Sequence, residues 1–116
     1  MVNIIQILDS IVYNSKKEEI EHIGEKIELN VHYNEQTKEL FVSHFYINDS
    51  HRRKNYGTKI YNDIKSYAIS NENIDKYRFH IKKNKSSKLW LKRLGEEYME
   101  INVGGVGTTF QVEYNI

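Results

Sequence analysis

Residues 40–47 (LFVSHFYI) constrain the fold more than any other stretch of the chain. Nearly every position is apolar, aromatic or β-branched. Strict alternation would put Phe41, Phe45 and Ile47 on one face and Leu40, Val42 and Tyr46 on the other. A strand that is apolar on both faces belongs in the middle of a sheet with cover on each side. A chain of 116 residues can build one such core of two or three layers. A single domain over residues 1–116 is therefore expected.

The flanking sequence supplies the rest of the architecture. Ile4, Ile5, Leu8, Ile11 and Val12 fall at helical spacing, and Ile20 and Ile23 extend the pattern. One or two amphipathic helices are predicted over residues 3–23, stopped at Gly24. Ile27, Leu29, Val31 and Tyr33 alternate as a strand, and residues 34–38 (NEQTK) form a turn into a second hairpin arm over 39–47. From Gly57 the period is helical again, with Ile60, Ile64, Tyr67 and Ala68 on one face and Asn71 as an αL stop. Tyr77, Phe79 and Ile81 alternate in a further strand. Asn84, Ser86 and Ser87 offer N-cap chemistry for a helix over about 85–94, which Gly95 ends. Met99, Ile101 and Val103, a glycine-rich turn at 104–107, and Phe110, Val112 and Tyr114 read as a final hairpin. The order α, ββ, α, β, α, ββ is that of an α+β domain, a mixed sheet with helices packed on its faces.

Between the central strand and the second helix lies Arg52-Arg53-Lys54-Asn55-Tyr56-Gly57-Thr58. Strand, short basic loop and helix start aim backbone N–H groups and a helix dipole at one point, where anions bind. A phosphorylated ligand is the natural guess. A solvated basic turn is the plain alternative. Charge is uneven along the chain. Residues 1–50 hold four Lys or Arg against nine Asp or Glu, a balance of −5, and residues 51–116 hold thirteen against seven, +6. The net charge of +1 is too near neutral for a broad nucleic-acid footprint, so nucleic acid is not the expected partner.

The element order and two of its joints resemble the GNAT acyltransferase superfamily. Residues 46–57 (YINDSHRRKNYG) resemble its motif A, whose kernel is Gln/Arg-x-x-Gly-x-Gly/Ala and here reads Arg52-x-x-Asn55-x-Gly57. Residues 84–95 (NKSSKLWLKRLG) resemble motif B, in which an Asn ends the strand after motif A's helix and a Gly closes the next helix. The matches cover about residues 39–103. The resemblance implies a central mixed, mostly antiparallel sheet flanked by helices on both faces. It implies an N-acetyltransferase that moves the acetyl group of acetyl-CoA, its co-substrate, to a primary amine by direct attack. The acceptor would be a small molecule, a protein lysine or an N-terminus. By the same resemblance the pyrophosphate would lie on the N–H groups of residues 53–58, with Gly57 and Thr58 in the first helical turn. Arg52, Arg53 and Lys54 would supply countercharge. The backbone of Tyr46 and Ile47 would pair with the pantetheine arm, and the Asn84 side chain would touch that arm. A helix cap is the alternative use of Asn84.

Two residues depart from the pattern. Asn55 replaces the first motif glycine, although Asn enters αL more readily than most residues. Leu91 stands where many members carry a tyrosine that protonates the leaving thiolate, and Glu96 replaces the aromatic residue after the closing Gly. Tyr56 and Tyr98 are the candidate substitutes for that acid. A base must also deprotonate the acceptor ammonium, and the family often places it on the strand before motif A. His44 and Glu39 lie there, and histidine titrates in the range such a base needs. A partly buried structural histidine is the alternative for His44.

Other chemistries find little support. There is no Cys, hence no disulfide, thiolate nucleophile or Cys metal site. The five histidines lack close ligand spacing, so no metal is expected. No apolar run approaches the roughly 18 residues of a membrane span. The N-terminus lacks the marks of a signal peptide, so a cytoplasmic protein is expected. A homodimer through the hairpin over 108–114 is a further expectation. The main rival function is a catalytically degenerate GNAT-fold protein that binds a protein or nucleic acid. A weaker one is a basic nucleic-acid module using Lys82, Lys83, Lys85, Lys88, Lys92 and Arg93, which would bind with steep salt dependence.

Overall fold

The computed structural model describes residues 4–14, 18–21, 27–47, 56–105 and 107–116. Helix α1 (Ile4–Asn14) leads to strands β1 (Glu18–Glu21), β2 (Ile27–Asn34) and β3 (Glu39–Ile47). Helix α2 (Tyr56–Ser70), strand β4 (Lys76–Lys82) and helix α3 (Lys85–Leu94) follow, then strands β5 (Met99–Val103) and β6 (Gly107–Asn115). The six strands form one sheet in the order β1-β2-β3-β4-β6-β5. Only β3 and β4 run parallel; every other neighbouring pair is antiparallel. The α+β class and the mixed, mostly antiparallel sheet are those expected from the sequence.

One element differs. Residues 18–21 are a strand, not the tail of an N-terminal helix, and pair antiparallel with β2 from Glu18–Val31 to Glu21–Glu28. Ile20 fits a helical period, but pairing with an open sheet edge overrides so weak a local preference.

The core lies on one face of the sheet. Leu29, Val31, Leu40, Val42, Tyr77, Phe79, Phe110 and Val112 are all buried there. Helix α1 meets this face through Ile4, Leu8, Ile11 and Val12, and α2 through Ile60, Tyr61, Ile64, Tyr67 and Ala68. The Tyr67 hydroxyl donates to Asp9 Oδ1 at 2.6 Å and ties the two helices together.

Helix α3 is set by its ends. Asn84 adopts an extended conformation and its Oδ1 accepts from Ser87 N at 2.8 Å. Gly95, at φ 73°, takes the left-handed turn that a Cβ would oppose. Gly95 N then bonds Lys92 O and Glu96 N bonds Leu91 O, each at 3.1 Å, closing the last carbonyls. Glu96 is thereby turned inward. It accepts from Lys65 Nζ at 2.6 Å, the Tyr61 hydroxyl at 2.7 Å and the Tyr114 hydroxyl at 2.8 Å. This buried network bolts α2 to the end of α3 and to β6.

The alternation expected in β3 breaks at one residue. Val31 faces Val42, but Asn30 faces His44, so Ser43 is an extra residue in β3. Such a bulge reverses the faces of everything beyond it. Leu40, Val42 and Phe45 therefore share the buried face, and His44 and Tyr46 are exposed. The face assignment read from strict alternation fails for Phe45 and Tyr46 for this reason.

Candidate active site

Strands β3 and β4 pair only from Glu39–Lys76 to Val42–Phe79. Beyond that point each strand keeps its outer partner and loses the inner one. Residues 43–47 continue along β2 to the Ile47–Ile27 pair, and residues 80–82 continue along β6 to the Lys82–Thr109 pair. The sheet is therefore split from one end between its two parallel strands, and the split begins at the Ser43 bulge. Among the described residues no ladder joins β3 to β4 beyond this point, and backbone groups at such an edge can pair with an added extended segment.

Side chains gather around this opening from three elements. Phe45, just past the bulge, stacks on Trp90 of α3 at 5.6 Å between ring centroids. Trp90 also meets Tyr61 edge-on at 5.3 Å, and its Nε1 donates to Thr58 Oγ1 at 3.1 Å in the first turn of α2. The indole thus locks the N-terminus of α2 beside the end of β3. A helix N-terminus carries unsatisfied N–H groups and a partial positive charge.

On the other face His44 Nε2 lies 3.0 Å from Glu28 Oε2 on β2. The bulge makes this pair. In the register that holds from Asn34–Glu39 to Val31–Val42, Glu28 would face residue 45 and His44 would point the opposite way. The extra residue moves Glu28 opposite Tyr46 and puts His44 on Glu28's face. Ser43 itself contacts His32 Nε2 at 3.1 Å.

The residues singled out in the sequence are only partly assembled here. His44, Tyr46 and the backbone of Ile47 line the β3 side of the opening, and Tyr56, Gly57 and Thr58 form the first turn of α2. Arg52, Arg53, Lys54 and Asn55 lie outside the described residues. Asn84 is the α3 cap; its Oδ1 is taken by Ser87 N, and its amide N–H groups have no partner among the described residues. Glu39 is not in the opening. It begins β3 at the closed end, where Arg78 Nη2 at 2.8 Å and Lys76 Nζ at 3.7 Å neutralise it. Five residues of strand, about 16 Å, separate it from His44. Tyr98 packs its ring on Phe110 at 4.7 Å, on the β6 side of β4. Leu91 is fully buried.

Glu28 and Trp90 escaped the sequence reading. Glu28 needed the bulge, which no local signal marks. Trp90 could have been found, since the N–H of a packed indole requires an acceptor. Across β4 a second feature appears: an open cavity of about 580 Å³ lined by Lys82, Lys83, Asn84, Lys85, Lys88, Gly107, Thr108 and Phe110. Among the described residues no group of three or more His, Asp or Glu could hold a metal, and no helix is long and apolar enough to cross a membrane.

No family model matches this sequence, and no curated protein is similar to it in sequence. Solved structures do match its fold. A protein described as a probable acetyltransferase superposes with a TM-score of 0.63 at 13% identity, over 97% of this chain and 68% of that one. Spermidine N-acetyltransferase SpeG from Vibrio cholerae gives 0.57 at 10% identity, over 95% and 72%. Arabidopsis thaliana NAA60 in complex with acetyl-CoA gives 0.53 at 10% identity, over 79% and 65%. The chain thus spans about two thirds of the length of these structures.

Proposed function

From the GNAT fold, which this chain has, we infer that it is an N-acetyltransferase that moves an acetyl group from acetyl-CoA to a primary amine by direct attack. One observation carries the reading: two parallel strands stop pairing at Val42 and Phe79, beside a bulge, with a helix N-terminus held at the same place. The residues fit the co-substrate. Backbone groups of residues 43–47 that no longer face β4 can pair with the amides of a pantetheine arm, as an added strand would. The free amide of Asn84 can donate to the same arm. The first turn of α2 suits a pyrophosphate.

Acetyl-CoA, when bound, supplies the electrophilic thioester carbon. His44 accepts the proton of the acceptor ammonium, directly or through one water, so that the amine attacks in neutral form. Glu28 holds the imidazole ring in place through the 3.0 Å contact, as a positioning residue. A C–N bond replaces the C–S bond. Leu91 offers the departing sulfur no proton, and water in the open cleft supplies it.

Calorimetric titration tests this reading. The protein should bind acetyl-CoA, with ATP a poor competitor. Gly57→Glu, which puts a carboxylate into the first turn of α2, should weaken binding by about tenfold or more. Unchanged affinity in that variant would discard the site. The burial of Leu91 favours a second reading, a binding protein that has lost catalysis. Acetyl-CoA binding without thiol release across a panel of amines would select it.

A further inference from the structure

The cavity across β4 is cationic beyond what its surroundings neutralise. Lys82 and Lys83 end β4, Lys85 and Lys88 lie on the first turns of α3, and all four line it. Lys83 Nζ pairs with Glu100 Oε2 at 3.0 Å. Among the described residues Lys82, Lys85 and Lys88 have no carboxylate partner. The capped N-terminus of α3 adds its partial positive charge. Gly107 and the buried Phe110 also line the cavity, so part of the lining is apolar. Three exposed ammonium groups without carboxylate partners around one hollow give it a positive potential that attracts anions.

We propose that this cavity is the acceptor subsite and that the acceptor is an acidic peptide, with carboxylates flanking its reactive amine. The proposal rests on the acetyltransferase reading and deepens it. Position separates the cavity from the co-substrate. Its lining comes from β4, α3 and β6, whereas the split lies on the other side of β4, between β4 and β3. Asn84 belongs to both, so a ligand in the cavity would meet the end of a pantetheine arm. Carboxylates on the lysines would anchor the peptide. The same lysines would disfavour the ammonium form of a nearby amine, which eases its deprotonation. A polyamine would be repelled, the exclusion that specificity requires. This separates the chain from the spermidine N-acetyltransferase whose fold it shares.

The test compares the wild-type chain with Lys82→Glu/Lys88→Glu, both checked for unchanged thermal unfolding. Three quantities are measured: the acetyl-CoA dissociation constant by calorimetry, the KM for a lysine peptide flanked by glutamates, and the binding of that peptide, fluorescein-labelled, by anisotropy. The double variant should raise the peptide KM and dissociation constant by about tenfold or more and leave the acetyl-CoA constant within about twofold. Wild-type peptide binding should weaken as salt rises. A larger loss of acetyl-CoA affinity than of peptide affinity would make the cavity a co-substrate phosphate site and overturn the proposal. Equal use of spermidine and the acidic peptide would overturn it too, as would displacement of the peptide by an oligonucleotide at lower concentration. The anisotropy arm needs no turnover. Peptide binding that the double variant loses, in a protein that fails to bind acetyl-CoA, would uphold the cavity and defeat only the acetyltransferase reading.

Discussion

The two halves of the β3–β4 pair are built from the same strands and do opposite things. In the closed half Leu40 faces Tyr77 and Val42 faces Phe79, all four fully buried, and Glu39 is clamped by Arg78 and Lys76. In the open half His44 and Tyr46 are exposed, Lys82 is exposed, and the backbones of β3 and β4 no longer pair. One inserted residue, Ser43, marks the change. Stability is concentrated where the strands pair, and binding capacity where they part. Substitutions in the closed half should therefore cost stability, and substitutions in the open half should cost function at nearly constant stability.

The largest effect is expected at Phe79. Its ring packs on Phe45 at 5.3 Å, Tyr61 at 4.8 Å and Trp90 at 6.1 Å, so it joins the last closed pair to three elements. Phe79→Ala removes these contacts and leaves a cavity, at a cost of about 4 kcal/mol by denaturant unfolding. A loss under about 1 kcal/mol would mean that the closed half is not the centre of the core.

Glu96 comes next. Burial pushes its carboxyl up, but hydrogen bonds from Lys65, Tyr61 and Tyr114 outweigh this and hold it below the ordinary carboxylate value. Burial likewise opposes the charge on Lys65, and the bonds to Glu96 and Tyr114 hold its ammonium above the ordinary value. Glu96→Ala leaves the half-buried Lys65 ammonium without its carboxylate and the buried Tyr61 hydroxyl without its acceptor, and should cost about 3 kcal/mol. The sign with pH follows. A carboxyl held low contributes stability that is complete above its unfolded value and is lost as pH falls through the folded one. The wild type should therefore lose stability on acidification through the carboxylate range more steeply than Glu96→Gln. Parallel curves would show that the network carries no net electrostatic stabilisation.

The open half supplies the contrasting case. His44→Gln and Glu28→Gln alter an exposed pair and should change stability by less than about 0.5 kcal/mol. Under the acetyltransferase reading, His44→Gln should lower kcat about a hundredfold with acetyl-CoA affinity unchanged. Glu28→Gln, acting through the ring, should cost less, and Glu28→Asp should restore part of the rate. A loss of stability in either variant as large as that of Phe79→Ala would erase the distinction between the halves.

These contrasts also explain what could be read from the chain alone. The caps of α3 at Asn84 and Gly95 were legible because capping is local chemistry, complete within a few residues. The alternating strands and the hairpins were legible for the same reason. The fold class followed from element order together with two motifs. Strand β1 was not legible, because residues 18–21 become a strand only against β2. The bulge at Ser43 was not legible either, because it is a property of the pairing between two strands. With it were lost the true face of Phe45 and the His44–Glu28 pair, which the bulge creates. Glu39 and His44 sit on one strand and looked equivalent as bases; register alone puts one at each end.

Trp90 joins the halves, and its substitution should have the smallest effect and the most specific one. Phe at this position keeps most of the stacking on Phe45 and the edge contact with Tyr61, but removes the donor to Thr58. One hydrogen bond to a half-buried hydroxyl is worth about 1 kcal/mol. Thr58→Val breaks the same bond from the other side and should cost a similar amount. Because the two changes remove one interaction, the double variant should cost about 1 kcal/mol less than the sum of the singles. If the bond also fixes the α2 N-terminus for an anion, acetyl-CoA affinity should show the same non-additivity, at about fivefold. Additive stability would mean that the bond contributes nothing. Coupled stability with additive affinity would mean that Trp90 serves the closed half alone, and that the open half is positioned by the strands without it.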